Sequence, residues 1–429
     1  MKKIIQFKLK ILSKIIVRRY KPQIVGITGS VGKTSTKEAI YTVLRAKYNT
    51  RKSFKNYNNE LGVPLTIIGE EAQGRSIPGW IRVFLKAVGL IIFKKKDYPR
   101  VLVLEMGVDK PGDMDYLSDI VTCDIGVVTA IGTSHLQFFK STKKIQKEKG
   151  VLIERLNRKG WAVLNYDDEK VRELADKSYA RVLNYGFKDD ADIKAQNIFF
   201  NFEKEEGVMS LQGISFKMNY SGSVVPVRLP NVLGYSVIYS ALAAAAVGVA
   251  FDMNLVEISK ALKDYQSPPG RMKLVDGVKN TMIIDDTYNS SPQSCHIALD
   301  FLDKIPAGSG GRKFAVLGDM LELGRYTEEA HKEVGKRVAS SSVDKLIVVG
   351  ERARDIAHGA QEAGMAKENI FHFSHNREAG KFIEERLEEG DLILAKGSQG
   401  ARMEKIVKEI MADPLQAKDL LVRQGAEWE

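Results

Sequence analysis

Ile24-Val25-Gly26-Ile27-Thr28-Gly29-Ser30-Val31-Gly32-Lys33-Thr34-Ser35 is the stretch on which the fold turns. Residues 24–28 read as a short buried strand, the glycines as a turn, and a helix is expected from about Lys33. Gly29 and Gly32 allow backbone N–H groups to close on phosphate oxygens, and a helix N-terminus behind them favours an anion. Ser30 and Ser35 complete the loop, Lys33 is placed to reach β- and γ-phosphates, and the Thr34 hydroxyl to meet Mg²⁺. The strict phosphate-loop pattern asks for glycine where Ile27 stands, so the match misses by one residue. The strand–turn–helix context carries it, and the expectation is ATP or GTP binding; a plain glycine turn is the alternative.

Working outward, apolar runs recur at Val101–Glu105, Ile125–Ala130 and Trp161–Asn165, with helical stretches between them. That alternation predicts a parallel sheet with crossover helices. Residues 196–228 read as short strands with turns, and Ala241–Ala250 as a small-residue helix. Ser267-Pro268-Pro269-Gly270 reads as a linker. A second βα series follows at Thr281–Asp285, Lys313–Leu317, Lys345–Val349 and Asp391–Lys396. The predicted architecture is α/β: a central phosphate-loop domain over 23–266 with a mostly parallel sheet, then a Rossmann-like α/β domain over 267–429.

The chain of 429 residues is 44% apolar and 28% charged, an ordinary globular mixture. Two cysteines, Cys123 and Cys295, cannot form a disulfide framework, which suits a reducing cytosol. The net charge of +11 is uneven: residues 1–22 hold eight cations and no acid, and Lys94-Lys95-Lys96 form a second cluster. No zinc-finger or RNA-binding signature accompanies them, so no nucleic-acid partner is expected. Residues 2–20 read as an amphipathic helix too short and charged to span a bilayer. It either packs on the first domain or lies on an anionic membrane surface. The apolar insertion 78–96 reads as a buried or interfacial helix, a second candidate membrane contact.

The loop form G-[ST]-x-G-K-[ST]-[ST] resembles that of the Mur ligase family. Further stretches in order carry the resemblance: NYNNELGVP (56–64), LEMGVDKPGDMDYLS (104–118), TAIGTSHLQFF (129–139), IIDDTYNSSP (283–292), AVLGDMLELG (315–324) and LAKGSQG (394–400). Within the family they are most similar to the UDP-N-acetylmuramoyl-tripeptide:D-alanyl-D-alanine ligases. The resemblance implies an ATP-dependent carboxylate–amine ligase of cell wall biogenesis, and so of cell shape and division, working through an acyl-phosphate. It implies two Mg²⁺ ions, one held by Thr34 and Glu105, the other by His135 and a CO₂-derived carbamate on Lys149. Taken alone, Glu105 is a solvated strand end, His135 a surface loop residue and Lys149 a solvated lysine, with Lys147 a near neighbour that could be mistaken for it. Asn56, Asn58 and Asn59 are implied beside the muramyl-peptide acceptor. Arg271 is implied for γ-phosphate charge, Asp286 for the nucleotide ribose with Tyr288 and Asn289 completing its loop, and Lys396 and Ser398 for the incoming D-Ala-D-Ala. The nucleotide would then be covered by closure of the C-terminal domain.

Two departures stand out. Family members carry an N-terminal domain for the UDP moiety, whereas here only the basic helix precedes the first strand, so the acceptor is expected to be UDP-linked or lipid-linked. The family's His-Asn at the start of the small-residue helix is replaced within Gly234–Ser240, leaving Tyr235 or backbone for adenine. The expected protein is cytoplasmic, peripheral at the inner face of the membrane, and a monomer. Competing readings are a superfamily ligase of cyanophycin or folylpolyglutamate type, and a nucleotide-binding scaffold without turnover.

Overall fold

A computed structural model describes residues 2–54, 57–132, 139, 141–205, 208–308, 310–425 and 428. The chain divides into two compact units, residues 1–197, 216–227 and 238–265 in the first and 198–215, 228–237 and 266–429 in the second.

The first sheet comprises β1 (Gln23–Thr28), β2 (Thr50–Lys52), β3 (Val101–Glu105), β4 (Ile125–Val128), β5 (Trp161–Asn165), β6 (Arg181–Gly186), β7 (Ile193–Glu205), β8 (Val208–Tyr220) and β9 (Ser223–Pro230). Its order is β2-β3-β1-β4-β5-β6-β7-β8-β9, parallel from β2 through β7. β1, β3 and β4 are buried nearly end to end, as strands covered on both faces must be, which is why they read as unbroken apolar runs. The parallel α/β expectation holds. Residues 196–228 differ from the expected short strands: β7 and β8 run 13 residues each. In β8 the buried residues Ile214, Phe216 and Met218 alternate with more exposed ones, the period-two pattern of a single strand.

The helix Lys2–Tyr20 packs on this unit through Leu9, Ser13 and Ile16, spaced to share one face and fully buried. Lys10 and Lys14 both reach Asp119, at 2.6 and 3.0 Å. The helix Ile77–Ile92 starts where the Ser76 hydroxyl accepts the Gly79 N–H at 3.1 Å, with Pro78 in its first turn, and buries Val83, Ala87 and Leu90. Both helices keep their other apolar face exposed. Among the described residues no helix is long and apolar enough to cross a membrane.

The second sheet comprises β10 (Lys273–Gly277), β11 (Thr281–Asp286), β12 (Lys313–Gly318), β13 (Lys345–Val349), β14 (Ile370–Phe373) and β15 (Leu392–Lys396), in the order β10-β11-β15-β12-β13-β14. All neighbours are parallel except the edge pair β10–β11, whose three-residue connection is too short for a crossover and turns at Lys279 with φ 56°.

Candidate active site

β1 delivers the chain into the phosphate loop, and the helix Lys33–Arg45 leaves it. Gly29 has φ 150° and Gly32 φ 87°. A Cβ on Gly29 would sit 1.9 Å from the Thr129 hydroxyl, so only glycine fits where β4 ends. Thr129 braces the loop by donating to the Val31 carbonyl at 2.5 Å. The Ser30 N–H donates to Ala130 O at 2.7 Å, and the Gly132 N–H to the Ser30 hydroxyl at 2.9 Å. Lys33 Nζ arches over its own loop to the Gly29 carbonyl, 2.7 Å away. Ser35 is buried one residue beyond Thr34.

Parallel register sets Ile27 opposite Glu105, which places the β3 carboxylate at the base of the loop. The Thr34 hydroxyl donates to Glu105 Oε2 at 3.1 Å and Asn58 Nδ2 to Oε1 at 3.2 Å, while the Glu105 N–H donates to the Ser53 hydroxyl. Glu105 is only 2% exposed, so it is no solvated strand end. Asn59 instead opens the helix Gly62–Ile68, its Oδ1 accepting the Leu61 and Gly62 N–H groups. Asn56 and His135 lie outside the described residues.

A residue missed in the sequence completes this cluster. Lys37 Nζ stands 3.7 Å from Glu105 Oε2 and 3.5 Å from Glu38 Oε1, and Glu38 also pairs with Lys52. Burial depresses the Lys37 ammonium, and Glu105 and Glu38 oppose that. The available signal was spacing: Lys37 lies one helical turn after Lys33 and shares its face.

Lys149 sits on the helix Thr142–Glu154 and is buried, whereas Lys147 is exposed. Desolvation, with a smaller push from Lys33, holds the Lys149 ammonium well below its ordinary range; Asp109 and Glu148 pull the other way. Glu148 caps the neighbouring helix Asp113–Ile120, its carboxylate accepting the Gly112 and Met114 N–H groups at 3.0 and 2.8 Å.

In the second unit the candidates gather at the ends of β11 and β15. Register sets Asp286 opposite Lys396, and Lys396 Nζ reaches Asp286 Oδ2 at 2.6 Å and the Asn289 carbonyl at 3.0 Å. The Arg271 guanidinium lies 4.0 Å over the Tyr288 ring. The Ser398 hydroxyl donates to Ser290 O and accepts the Leu321 N–H. Lys396 and Ser398 therefore tie down the loop that holds Asp286 and Asn289. Asp285, unremarked in the sequence, is fully buried and accepts from Gly270 N–H at 3.1 Å, Thr287 N–H at 3.1 Å and the Thr287 hydroxyl at 2.6 Å. Burial still raises its carboxyl to about 6. Arg423 clamps the same loop, donating to the Tyr288 carbonyl at 2.5 Å and pairing with Glu404 at 2.7 Å; a lone arginine near the C-terminus offered no signal. Tyr235 is engaged by Phe301 and by Lys304, whose Nζ donates to its hydroxyl at 2.5 Å.

The Thr34 hydroxyl and Glu105 carboxylate are hard oxygen donors in contact, the set with which Mg²⁺ is commonly held between protein and substrate phosphates. Among the described residues no three His, Cys, Asp or Glu side chains gather to hold a metal by themselves. Two hard oxygen donors in contact fit an ion whose remaining ligands come from a bound nucleotide.

Two family models match the chain: Mur ligase middle domain over residues 27–76 and 88–248, and Mur ligase, glutamate ligase domain, over 270–399. The UDP-N-acetylmuramoyl-tripeptide--D-alanyl-D-alanine ligase of Bacillus subtilis (strain 168) is 30% identical over 408 residues, covering 95% of this chain and 80% of the relative. The Escherichia coli (strain K12) protein of the same name is 28% identical, covering 91% and 78%. Among solved structures, MurF from Acinetobacter baumannii matches with a TM-score of 0.77 at 25% identity, covering 95% and 81%. The MurF ligase of Thermotoga maritima in complex with ADP matches at 0.76 and 26%, covering 94% and 83%.

Proposed function

The chain belongs to the Mur ligase family, and on that footing we propose that it adds D-alanyl-D-alanine to a muramyl tripeptide at the expense of ATP. Members of the family are ATP-dependent ligases that form amide bonds in peptidoglycan precursor synthesis. The observation that carries the reading is the cluster of Lys33, Thr34 and Glu105 at the end of β1 and β3, in a chain whose similar relatives bear that activity in their names.

In this reading the amides of Gly29–Ser35 hold the triphosphate and Lys33 neutralises its outer oxygens. An oxygen of the tripeptide carboxylate attacks the γ-phosphorus, the bond to ADP breaks, and an acyl-phosphate forms. The dipeptide amine then attacks the acyl carbon, loses a proton, and phosphate leaves as the amide forms. Thr34 and Glu105 would hold one Mg²⁺, and His135 with a carbamate on Lys149 a second; bound magnesium offsets the crowded phosphate charge. The depressed ammonium of Lys149 favours that carbamate, because only the neutral amine adds to CO₂, releasing a proton. Asn56, Asn58 and Asn59 are read as bordering the acceptor. Arg271, Asp286, Tyr288 and Asn289 are read as facing the nucleotide, and Lys396 and Ser398 as shaping that loop beside the dipeptide. The acceptor is UDP-linked or lipid-linked, and the enzyme works as a cytoplasmic monomer at the inner membrane face.

Phosphate release tests the reading, with UDP-linked or lipid-linked muramyl tripeptide and a choice of amines. D-Ala-D-Ala is expected to stimulate turnover, and glutamate or arginine not. Equal stimulation by all amines, or none by D-Ala-D-Ala with either acceptor, sinks it. A ¹³C carbamate resonance under ¹³CO₂, lost in Lys149→Ala, checks the modification.

A further inference from the structure

Exposed apolar side chains on the first unit are not scattered. On the helix Ile77–Ile92 they form one row, Ile77, Ile81, Leu85, Val88 and Ile92, each between 41% and 67% exposed. Their spacing keeps them on a single face, opposite the buried Val83, Ala87 and Leu90. The first half of that helix falls between the two blocks matched by the middle-domain family. The helix Lys2–Tyr20 carries a second row, Ile4, Phe7, Ile11 and Ile15, between 40% and 63% exposed. The two helices touch: the Tyr20 hydroxyl donates to Leu90 O at 3.0 Å, Arg19 to Ile92 O at 3.2 Å, and Lys8 stands 6.0 Å from the centre of the Phe84 ring.

Positive charge collects where both helices end. A cavity of about 530 Å³ opens there, walled by Lys21, Lys94, Lys95, Lys96 and Arg100 and by no acid. Its other walls include Tyr20 and Tyr98, whose rings stack at 4.0 Å. The Lys95 N–H donates to the Tyr20 hydroxyl, pinning the lysine run to the helix end. Lys10 and Lys14 are neutralised by Asp119; among the described residues the three lysines 94–96 have no carboxylate at ion-pair distance.

We infer that these two helices form a docking surface for an anionic lipid bilayer. The apolar rows enter the acyl–headgroup boundary and the cationic cavity receives a phosphodiester headgroup. Charge selects the occupant: an apolar row alone suits many partners, but one that ends in an acid-free basic cavity suits a sheet of anionic headgroups. The inference deepens the peripheral location in the proposed function and stands apart from the ligase chemistry, which turnover of a soluble UDP-linked acceptor reports separately.

The test is co-sedimentation of the full chain with vesicles of phosphatidylcholine, alone or mixed with phosphatidylglycerol. Binding is expected to the mixed vesicles, weak binding to phosphatidylcholine, and loss of binding as salt rises. Replacing Lys94, Lys95 and Lys96 by Gln is expected to weaken binding roughly a hundredfold. The pair Ile81→Glu with Leu85→Glu is expected to abolish insertion at low salt. Both variants alter exposed side chains, so unchanged circular dichroism and unchanged soluble turnover check folding. Absence of binding to anionic vesicles, or binding that survives both variants, overturns the inference. So does concentration-dependent self-association abolished by the Ile81→Glu and Leu85→Glu pair, which would assign the face to a second copy of the chain.

Discussion

The ends of β3 and β11 handle a buried carboxylate in opposite ways. Glu105 closes β3 among movable side-chain partners: a threonine hydroxyl, an asparagine amide and the Lys37 ammonium. Asp285, near the end of β11, is bound by the backbone amide and hydroxyl of Thr287 in its own loop and by the backbone amide of Gly270. The first arrangement holds a charge ready for a ligand that can take over its partners. The second spends its acceptors on shape, and burial raises the carboxyl. The Glu105 cluster is thus held by side chains drawn from several elements, and the Asp285 cluster mainly by backbone, a contrast that the proposed function turns into different roles.

The largest expected effect falls on Lys37. Lys37→Met leaves buried Glu105 without the ammonium that stands 3.7 Å from it and should destabilise the first unit by about 3–5 kcal/mol. Urea unfolding followed by a probe in that unit measures it; a loss below about 1 kcal/mol would erase the contrast with β11. Next comes Lys33→Ala, expected to lower kcat by about 10²–10³-fold with little change in melting temperature. A normal kcat would remove the phosphate loop from the chemistry.

Asp285→Asn sharpens the other side. The folded carboxyl titrates at about 6, above its ordinary 3.8. Its contribution to stability is therefore complete below about pH 3.8 and is lost as pH rises through about 6. Between those limits the stability of the native chain relative to Asp285→Asn should fall by up to about 3 kcal/mol. Paired unfolding curves at pH 4 and 7 read this, and a gap independent of pH would show a carboxylate ionised throughout. The smallest effect is expected at Arg271→Ala, which removes the stack on Tyr288. A rise of about tenfold in the KM for ATP is expected, within the range of a desolvated cation–π contact. An unchanged KM would limit Arg271 to loop packing.

The parallel strands were legible because burial on both faces writes them as continuous apolar runs, and β3 and β5 emerge with the expected ends. The phosphate loop was legible because Gly29 and Gly32 are needed for local backbone reasons. The long strands β7 and β8 were harder to read, since turn residues interrupt the sequence without ending the ladder. Lys37 and Asp285 were passed over because nothing in composition marks a charged residue as buried. Lys396 and Ser398 stand out in the sequence only as part of a motif; the registers of β15 with β11 and the loop after β12 add their contacts with the Asp286 loop, which residue order does not show.

From residue order alone came what depends on near neighbours: the glycine turn between strand and helix, the alternation of strands and helices, and the basic apolar helix at the start. Folding in three dimensions chose which charges meet. Glu105 reaches Thr34 and Lys37, and Asp286 reaches Lys396, through strand register across long stretches of chain. It also chose which face of Lys2–Tyr20 is buried, since the helix has apolar residues on both. The physical reason is common to all of these: a side chain's charge and exposure depend on partners far along the chain, which local periodicity does not encode.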